Sequence, residues 1–226
     1  MAAAPDFRKP DRYKSSSYSS YDTKMPSRYD DCVWLRLCQV PRWDRAVVAA
    51  LGPDLARLRI LDVGCATGRL LARLAAAGAT DLYGTDLAPG ILDVAREKLA
   101  GLDVELQVAD AEDVLPWDDC TFDAVTLTGV LHHFYRPRDA LAEMRRVLRP
   151  GGRLLVIDPG FFPPLRQIFN LALRVKPHAG DCRFHSRGGA ARLVGESGFE
   201  LTGDRRVGVW AYLVEGRAKQ GGRLHV

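Results

Sequence analysis

Apolar residues in this chain recur at two spacings that take turns, and the alternation outlines a fold. Ile60-Leu61-Asp62-Val63 is a short β-prone run, and from Thr67 onward Leu70, Leu71, Leu74 and Ala77 follow helical spacing up to a stop at Gly78. Leu82 to Thr85 reads as a second strand. Ile91, Leu92, Ala95 and Leu99 form a helical stripe, and Val104 to Val108 alternates as a strand does. Phe122 to Thr128 is predicted to be the fourth strand and Arg138 to Leu148 a helix, with Arg149-Pro150-Gly151-Gly152 turning into a strand over Arg153 to Asp158. Upstream, Pro41 to Leu51 is amphipathic and leads to the first strand, and downstream Ser186 has the place of an N-cap for a helix Arg187 to Ser197. Strand and helix in regular succession predict a doubly wound α/β domain, with parallel strands and helices on both faces. Ligands of such sheets bind outside the carboxyl ends of the strands, where Asp62, Asp86, Asp110 and the Thr128-Gly129 turn fall.

The first strand-to-helix turn, Ile60 to Gly68, is the stretch around which the rest is arranged. Its two glycines let backbone approach a ligand closely, and the helix that follows points free N–H groups at it. Two familiar ligands are excluded by spacing. A dinucleotide fingerprint needs glycine where Ala66 and Arg69 stand, and a phosphate loop needs a lysine where the chain has none. A nucleoside with a small zwitterionic tail remains. Asp86, which closes the second strand, can accept two hydrogen bonds from a ribose diol. Both Asp86 and Asp110 have an alternative use as turn formers or helix N-caps.

Ile60 to Gly68, Gly84-Thr85-Asp86-Leu87, Ala109-Asp110-Ala111, Phe122-Asp123, Val130-Leu131-His132-His133 and Leu148-Arg149-Pro150-Gly151-Gly152 occur in a characteristic order. In that order and spacing they resemble the class I S-adenosylmethionine-dependent methyltransferases, and within them the small-molecule group that includes the ubiquinone and menaquinone biosynthesis enzymes. The resemblance is close over residues 58 to 158 and loose at the ends. It implies a seven-stranded sheet, with Phe199 to Arg206 and Val207 to Glu215 as its final antiparallel pair. By the same resemblance Gly64 and Gly68 meet the methionine tail, Asp86 holds the ribose, Leu87 covers an adenine face, Asp110 accepts from the adenine amino group, and Ala111 offers a backbone N–H. Asp62, Cys65, Ala66 and Thr128 complete the expected cofactor contacts around the strand ends. Ala66 departs from the family, which more often has glycine there; its methyl group is expected to narrow the approach slightly. His132 and His133 are the expected catalytic pair, imidazole being the side chain that titrates near neutrality, with a structural role in shaping the loop as the alternative. No metal is expected.

Two long stretches are not accounted for by the repeating units. Residues 1–40 are expected to be a polar tail and lid, in which Tyr21-Asp22 and Tyr29-Asp30 resemble the family's cofactor-covering pattern and Tyr13 and Tyr18 suit a tail equally well. Residues 159–185 carry Phe161, Phe162, Ile168, Phe169, Leu171 and Leu173, and are expected to cap the acceptor side of a domain spanning 41–215; a helix that only completes the core is the alternative. Residues 216–226 read as a tail.

Composition narrows the picture further. The 226 residues, 47% hydrophobic, suit one α/β domain with a real core. The net charge of +4 comes from arginines dispersed among acids, which read as solvated faces and not as a nucleic-acid surface. Five cysteines, Cys32, Cys38, Cys65, Cys120 and Cys182, lack metal or disulfide spacing and read as free thiols in a reducing, cytoplasmic setting. No apolar run is long enough for a membrane span. The expected function is methyl transfer from S-adenosylmethionine to a small acceptor, planar or largely hydrophobic. The alternatives are methylation of a tRNA or protein, or cofactor binding without catalysis.

Overall fold

The computed structural model describes residues 19–24, 29–30, 40–175 and 181–219. Tyr13, Tyr18, Cys32, Cys38, part of the expected cap at 176–180 and the end of the chain lie outside the described residues. Helix α1 covers Val40–Leu51, β1 Arg59–Val63, α2 Arg69–Ala76, β2 Asp81–Asp86, α3 Pro89–Lys98, β3 Val104–Val108 and β4 Phe122–Thr128. Then come α4 Pro137–Val147, β5 Leu148–Pro159, α5 Pro163–Val175, α6 Arg187–Glu196, β6 Phe199–Val207 and β7 Ala211–Ala218.

The strands form one seven-stranded sheet in the order β3-β2-β1-β4-β5-β7-β6. β1 to β5 pair in parallel, and β7 lies antiparallel between β5 and β6. The near-continuous apolar runs of the central strands follow from burial on both faces. On one face Leu61, Val63, Val125 and Leu127 pack with Leu141, Met144 and Val147 of α4 and Ala190 and Val194 of α6. On the other, Ile60, Ala124 and Leu155 pack with Val47 of α1, Leu70 and Leu74 of α2 and Leu92 and Ala95 of α3. Sequence order reverses where β1 meets β4, so the helices after them leave on opposite faces and a crevice opens between their carboxyl ends.

Three local features refine the sequence expectations. The turn expected at Arg149 to Gly152 exists as an irregularity within β5: Leu148 pairs with Phe122 and Arg153 with Ala124, and Gly151 takes a φ of +77°. Ser186 caps α6 as expected, its Oγ accepting from the Gly189 N–H at 3.0 Å. The C-terminal boundary moves. β7 continues to Ala218, which is 4% exposed, because Phe199 of β6 pairs with it; the expected tail therefore begins after the strand, not at Gly216.

Candidate active site

One cleft opens at the carboxyl ends of β1 to β4. Nine of the expected site residues line it: Tyr21, Tyr29, Gly64, Ala66, Asp86, Leu87, Asp110, Ala111 and His133. Thr85, Ile91, Ala109, Glu112, Val130 and Phe134 share the lining. The β1–α2 loop is clipped to the end of β2, the N–H groups of Gly64 and Cys65 both donating to the Thr85 carbonyl at 2.7 and 2.9 Å. Gly64 takes φ +69°, and a Cβ there would run into Val130, so both the turn and the packing require glycine. Ala66 takes φ +48°, a left-handed conformation that costs an L-residue roughly 1–2 kcal/mol. Alanine at this position therefore adds backbone strain to the turn.

The strand-end aspartates are engaged by backbone. Asp86 accepts from the Ala66 N–H through Oδ2 at 3.0 Å and from the Ala88 N–H through Oδ1 at 3.1 Å, which ties the β1–α2 loop to the start of α3. Burial pushes its carboxyl up, against those backbone donors. Asp110 accepts from the Glu112 N–H at 2.9 Å, closing its own turn. The turn-forming use foreseen as an alternative is thus real for both. It leaves the ligand use open for Asp86, since each carboxylate oxygen has two lone pairs.

Five expected residues lie behind the lining. Asp62 is 2% exposed and accepts from Thr126 Oγ1 at 2.7 Å; desolvation raises its pKa to about 7 in spite of that bond. Cys65 is 5% exposed in the α1–α2 side of the core, where burial pushes its thiol well up. Gly68 takes φ +72° against Leu99, whose Cδ1 a Cβ would approach to 2.6 Å, so this glycine serves the packing of α2 on α3. Thr128 buries an Oγ1 that has no hydrogen-bond partner among the described residues. His132 sits deeper than its neighbour and does not reach the cleft.

The N-terminal tyrosines arrive on aspartate anchors. Asp22 accepts from the Gly90 N–H at 2.7 Å, at the first turn of α3, where an anion meets free N–H groups and the helix dipole. Asp30 accepts from Thr67 Oγ1 at 2.8 Å and pairs with Lys98. Between these anchors the Tyr21 and Tyr29 rings meet edge-on at 5.8 Å, and Tyr21 meets His133 at 5.7 Å, its hydroxyl 3.5 Å from Nε2. Thr67 and Lys98 were not recognised from sequence, because nothing local marks an ion pair across 68 positions.

On the far side of His133 lies a second polar group. His132 Nδ1 is 2.8 Å from Asp158 Oδ1 at the end of β5, and Asp158 is wholly buried. Asp181 Oδ1 lies 3.6 Å from His132 Nε2 and 3.2 Å from His133 Nδ1. These two imidazoles and one carboxylate place ligand atoms within 4.8 Å of one another. Burial alone lowers the pKa of His132, but Asp158, with help from Asp181, outweighs it and holds the imidazole above its ordinary value. Residues 181–186 strap this loop down: the Cys182 and Arg183 N–H groups donate to the His132 carbonyl, and Phe184 stacks on His132 at 5.0 Å. Asn170 of α5 grips Phe184 twice through its backbone, at 2.8 and 3.0 Å. Phe161, Phe169 and Phe184 form one aromatic cluster with ring spacings of 4.9 to 6.1 Å. Asp158 was legible in principle, being a strand-end aspartate like Asp86; Asp181 carried no signal.

Residues 61–156 match a family model described as a methyltransferase domain. The chain is similar to the demethylmenaquinone methyltransferase of Clavibacter sepedonicus, 45% identical over 117 residues that make up 51% of this chain and 46% of that protein. The corresponding protein of Thermus thermophilus is 42% identical over 137 residues, 59% of this chain and 60% of the relative. The matches thus span about half the length of these curated relatives. Among solved structures, magnesium protoporphyrin IX methyltransferase from Synechocystis PCC 6803, with bound SAH, superposes with a TM-score of 0.71 at 18% identity, covering 91% of this chain and all of that one; at that identity the likeness shows the fold. Residues 61–156 are thus similar to a methyltransferase domain, and over about half of its length the chain is similar in sequence to the demethylmenaquinone methyltransferases.

Proposed function

We propose that the chain transfers a methyl group from S-adenosylmethionine to a small, largely apolar acceptor that bears an acidic hydroxyl, such as the reduced form of a quinone of the kind named in its relatives. The observation that carries this is the convergence on one cleft of the Gly64–Ala66 turn, the Asp86 carboxylate, the apolar Leu87, Ile91 and Ala109 walls, and the His133 edge. These residues fit the cofactor: a carboxylate able to accept from a ribose diol stands beside the apolar side chains of Leu87, Ile91 and Ala109, and buried Asp62, beneath the turn, would ionise against a cationic tail. When bound, S-adenosylmethionine supplies a methyl group on a cationic sulfur, whose carbon–sulfur bond breaks as the acceptor's bond to that carbon forms.

The chain's own work is alignment, exclusion of water and removal of one proton. Tyr21 and Tyr29 cover the cleft from the cofactor side. Phe161, Phe169 and Phe184 wall the acceptor side, and an aromatic acceptor can replace the Phe184 ring over His132. Asp158 holds the proton on His132 Nδ1 and so leaves Nε2 free of one, the arrangement of a general base oriented by a carboxylate. An acceptor that displaces Phe184 meets His132 from behind the cofactor cleft, its hydroxyl proton passing to Nε2, where Asp181 lies close enough to balance the imidazolium. The test is transfer of labelled methyl from S-adenosylmethionine to a reduced naphthoquinone. Label should enter the organic phase in a His132-dependent way. A chain that binds the cofactor yet labels neither the naphthoquinol nor any component of an apolar cell extract would overturn the proposal.

A further inference from the structure

We propose that the outward face of α5, continued by Phe162 and the β6–β7 turn, docks on the surface of an anionic lipid bilayer. Helix α5 is apolar on two sides. Its inward side places Phe169 in the aromatic cluster and leaves Leu173 6% exposed. Its outward side holds Ile168 and Leu171, 62% and 64% exposed and one turn apart. Phe162, 41% exposed, stands just before the helix, and its ring meets Trp210 at 5.2 Å beside the exposed Val209. Among the described residues, four of the eight large apolar side chains that are exposed thus gather at this one corner. A surface helix ordinarily turns polar residues outward, and gathered exposed apolar side chains mark an interaction surface.

Charge decides between occupants. α5 contains no acidic residue; Arg166 falls on its inward side with Phe169 and Leu173, whereas Arg174 flanks its outward side and the Arg206 guanidinium lies over the Phe162 ring at 5.7 Å. Arginines around an apolar patch, with a tryptophan and a phenylalanine at its edge, suit lipid phosphates above acyl chains. A second copy of this chain on the same patch would bring these arginines against their own equivalents. The patch backs directly onto Phe161 and Phe169, so a bilayer-dissolved molecule would meet the aromatic cluster from this side. The docking surface goes beyond the methyl-transfer reaction and stands without it.

The experiment is sedimentation of the full chain with vesicles of phosphatidylcholine, with and without phosphatidylglycerol. Binding is expected to the anionic vesicles, weaker at high salt, and lowered about tenfold or more in the double variant Ile168→Asp, Leu171→Asp, because two apolar side chains no longer leave water. That variant should keep its affinity for S-adenosylhomocysteine, both residues being exposed and outside the cleft. Trp210 emission, isolated by comparison with Trp210→Phe, should move to shorter wavelength on vesicle binding, which tests the contact without an acidic substitution. Absence of binding to anionic vesicles, or equal binding by the double variant, would overturn the proposal. So would light scattering that shows a dimer which the double variant dissolves, since the patch would then belong to a second copy.

Discussion

Replacing Asp62 by asparagine should change how stability depends on pH, in a direction fixed by burial. Asp62 is 2% exposed, and desolvation lifts its pKa from the ordinary 3.8 to about 7. Between those values the folded protein holds a proton that the unfolded chain has released. Its contribution to stability is therefore intact below 3.8, falls as pH rises through the window, and is fully lost above about 7. At 1.36 kcal/mol per pH unit this amounts to about 4 kcal/mol, an order of magnitude that relaxation around the site will reduce. The Asp62→Asn variant would keep the volume and an oxygen for the Thr126 hydroxyl, now 2.7 Å from the carboxylate, without the charge. Denaturant unfolding of both proteins from about pH 5 to about pH 8 should show the variant gaining on the native chain as pH rises to about 7 and the difference levelling above it. A cationic ligand tail near Asp62 should oppose the same cost, so S-adenosylmethionine binding near pH 6 should release a proton from the native protein and not from the variant. Parallel stability curves for the two proteins would refute this account of Asp62.

Three further outcomes are expected. Replacing Asp22 and Asp30 together by alanine removes the anchors at Gly90, Thr67 and Lys98, and should raise the dissociation constant for S-adenosylhomocysteine about tenfold while amide exchange quickens over residues 19–30 in the ligand-bound protein. Asp158→Asn should lower turnover by roughly 100-fold or more and move the acidic limb of the pH–rate profile to lower pH, because Asp158 holds the His132 pKa up; an unmoved profile would leave His132 structural. Turnover should survive chelator treatment unchanged, since Asp158 and Asp181 already give His132 charge partners on both sides; loss restored by a divalent ion would make His132, His133 and Asp181 a metal site instead.

What the sequence revealed was mostly local. Strands β3 and β4 coincide with their expected limits, because alternation and continuous apolar runs are properties of neighbours along the chain. The cleft was legible for the same reason: a parallel sheet gathers its strand ends, so Gly64, Asp86, Asp110 and His133 could be placed together from order alone. Depth was not legible. Asp62 and His132 look in sequence like the lining residues beside them, and only packing separates Asp62, facing the α1–α2 side, from Val63, facing the cleft. Pairings across long separations were also hidden, as Asp30 with Lys98, Asp44 with Arg69, and Asp181 with the two histidines show. Asp44 is the clearest case: a charged residue on an amphipathic helix reads as solvent-facing, yet it is 1% exposed, with burial raising its pKa against the pull of Arg69.

The central claim, that Asp86 holds the ribose of an adenosyl cofactor in this cleft, is tested most directly by calorimetric titration in a double cycle. S-Adenosylhomocysteine and its 2′-deoxy analogue are titrated into the native chain and into Asp86→Ala. Asp86 also ties the Ala66 and Ala88 N–H groups, so loss of affinity in the variant alone could arise from a loosened loop. The cycle separates the two effects. Asp86→Ala is expected to cost about 2 kcal/mol with the complete ribose, a charged hydrogen bond being worth roughly 1.5–3 kcal/mol, and distinctly less with the deoxy ligand. Equal losses for the two ligands, or unchanged affinity in a folded variant, would contradict it.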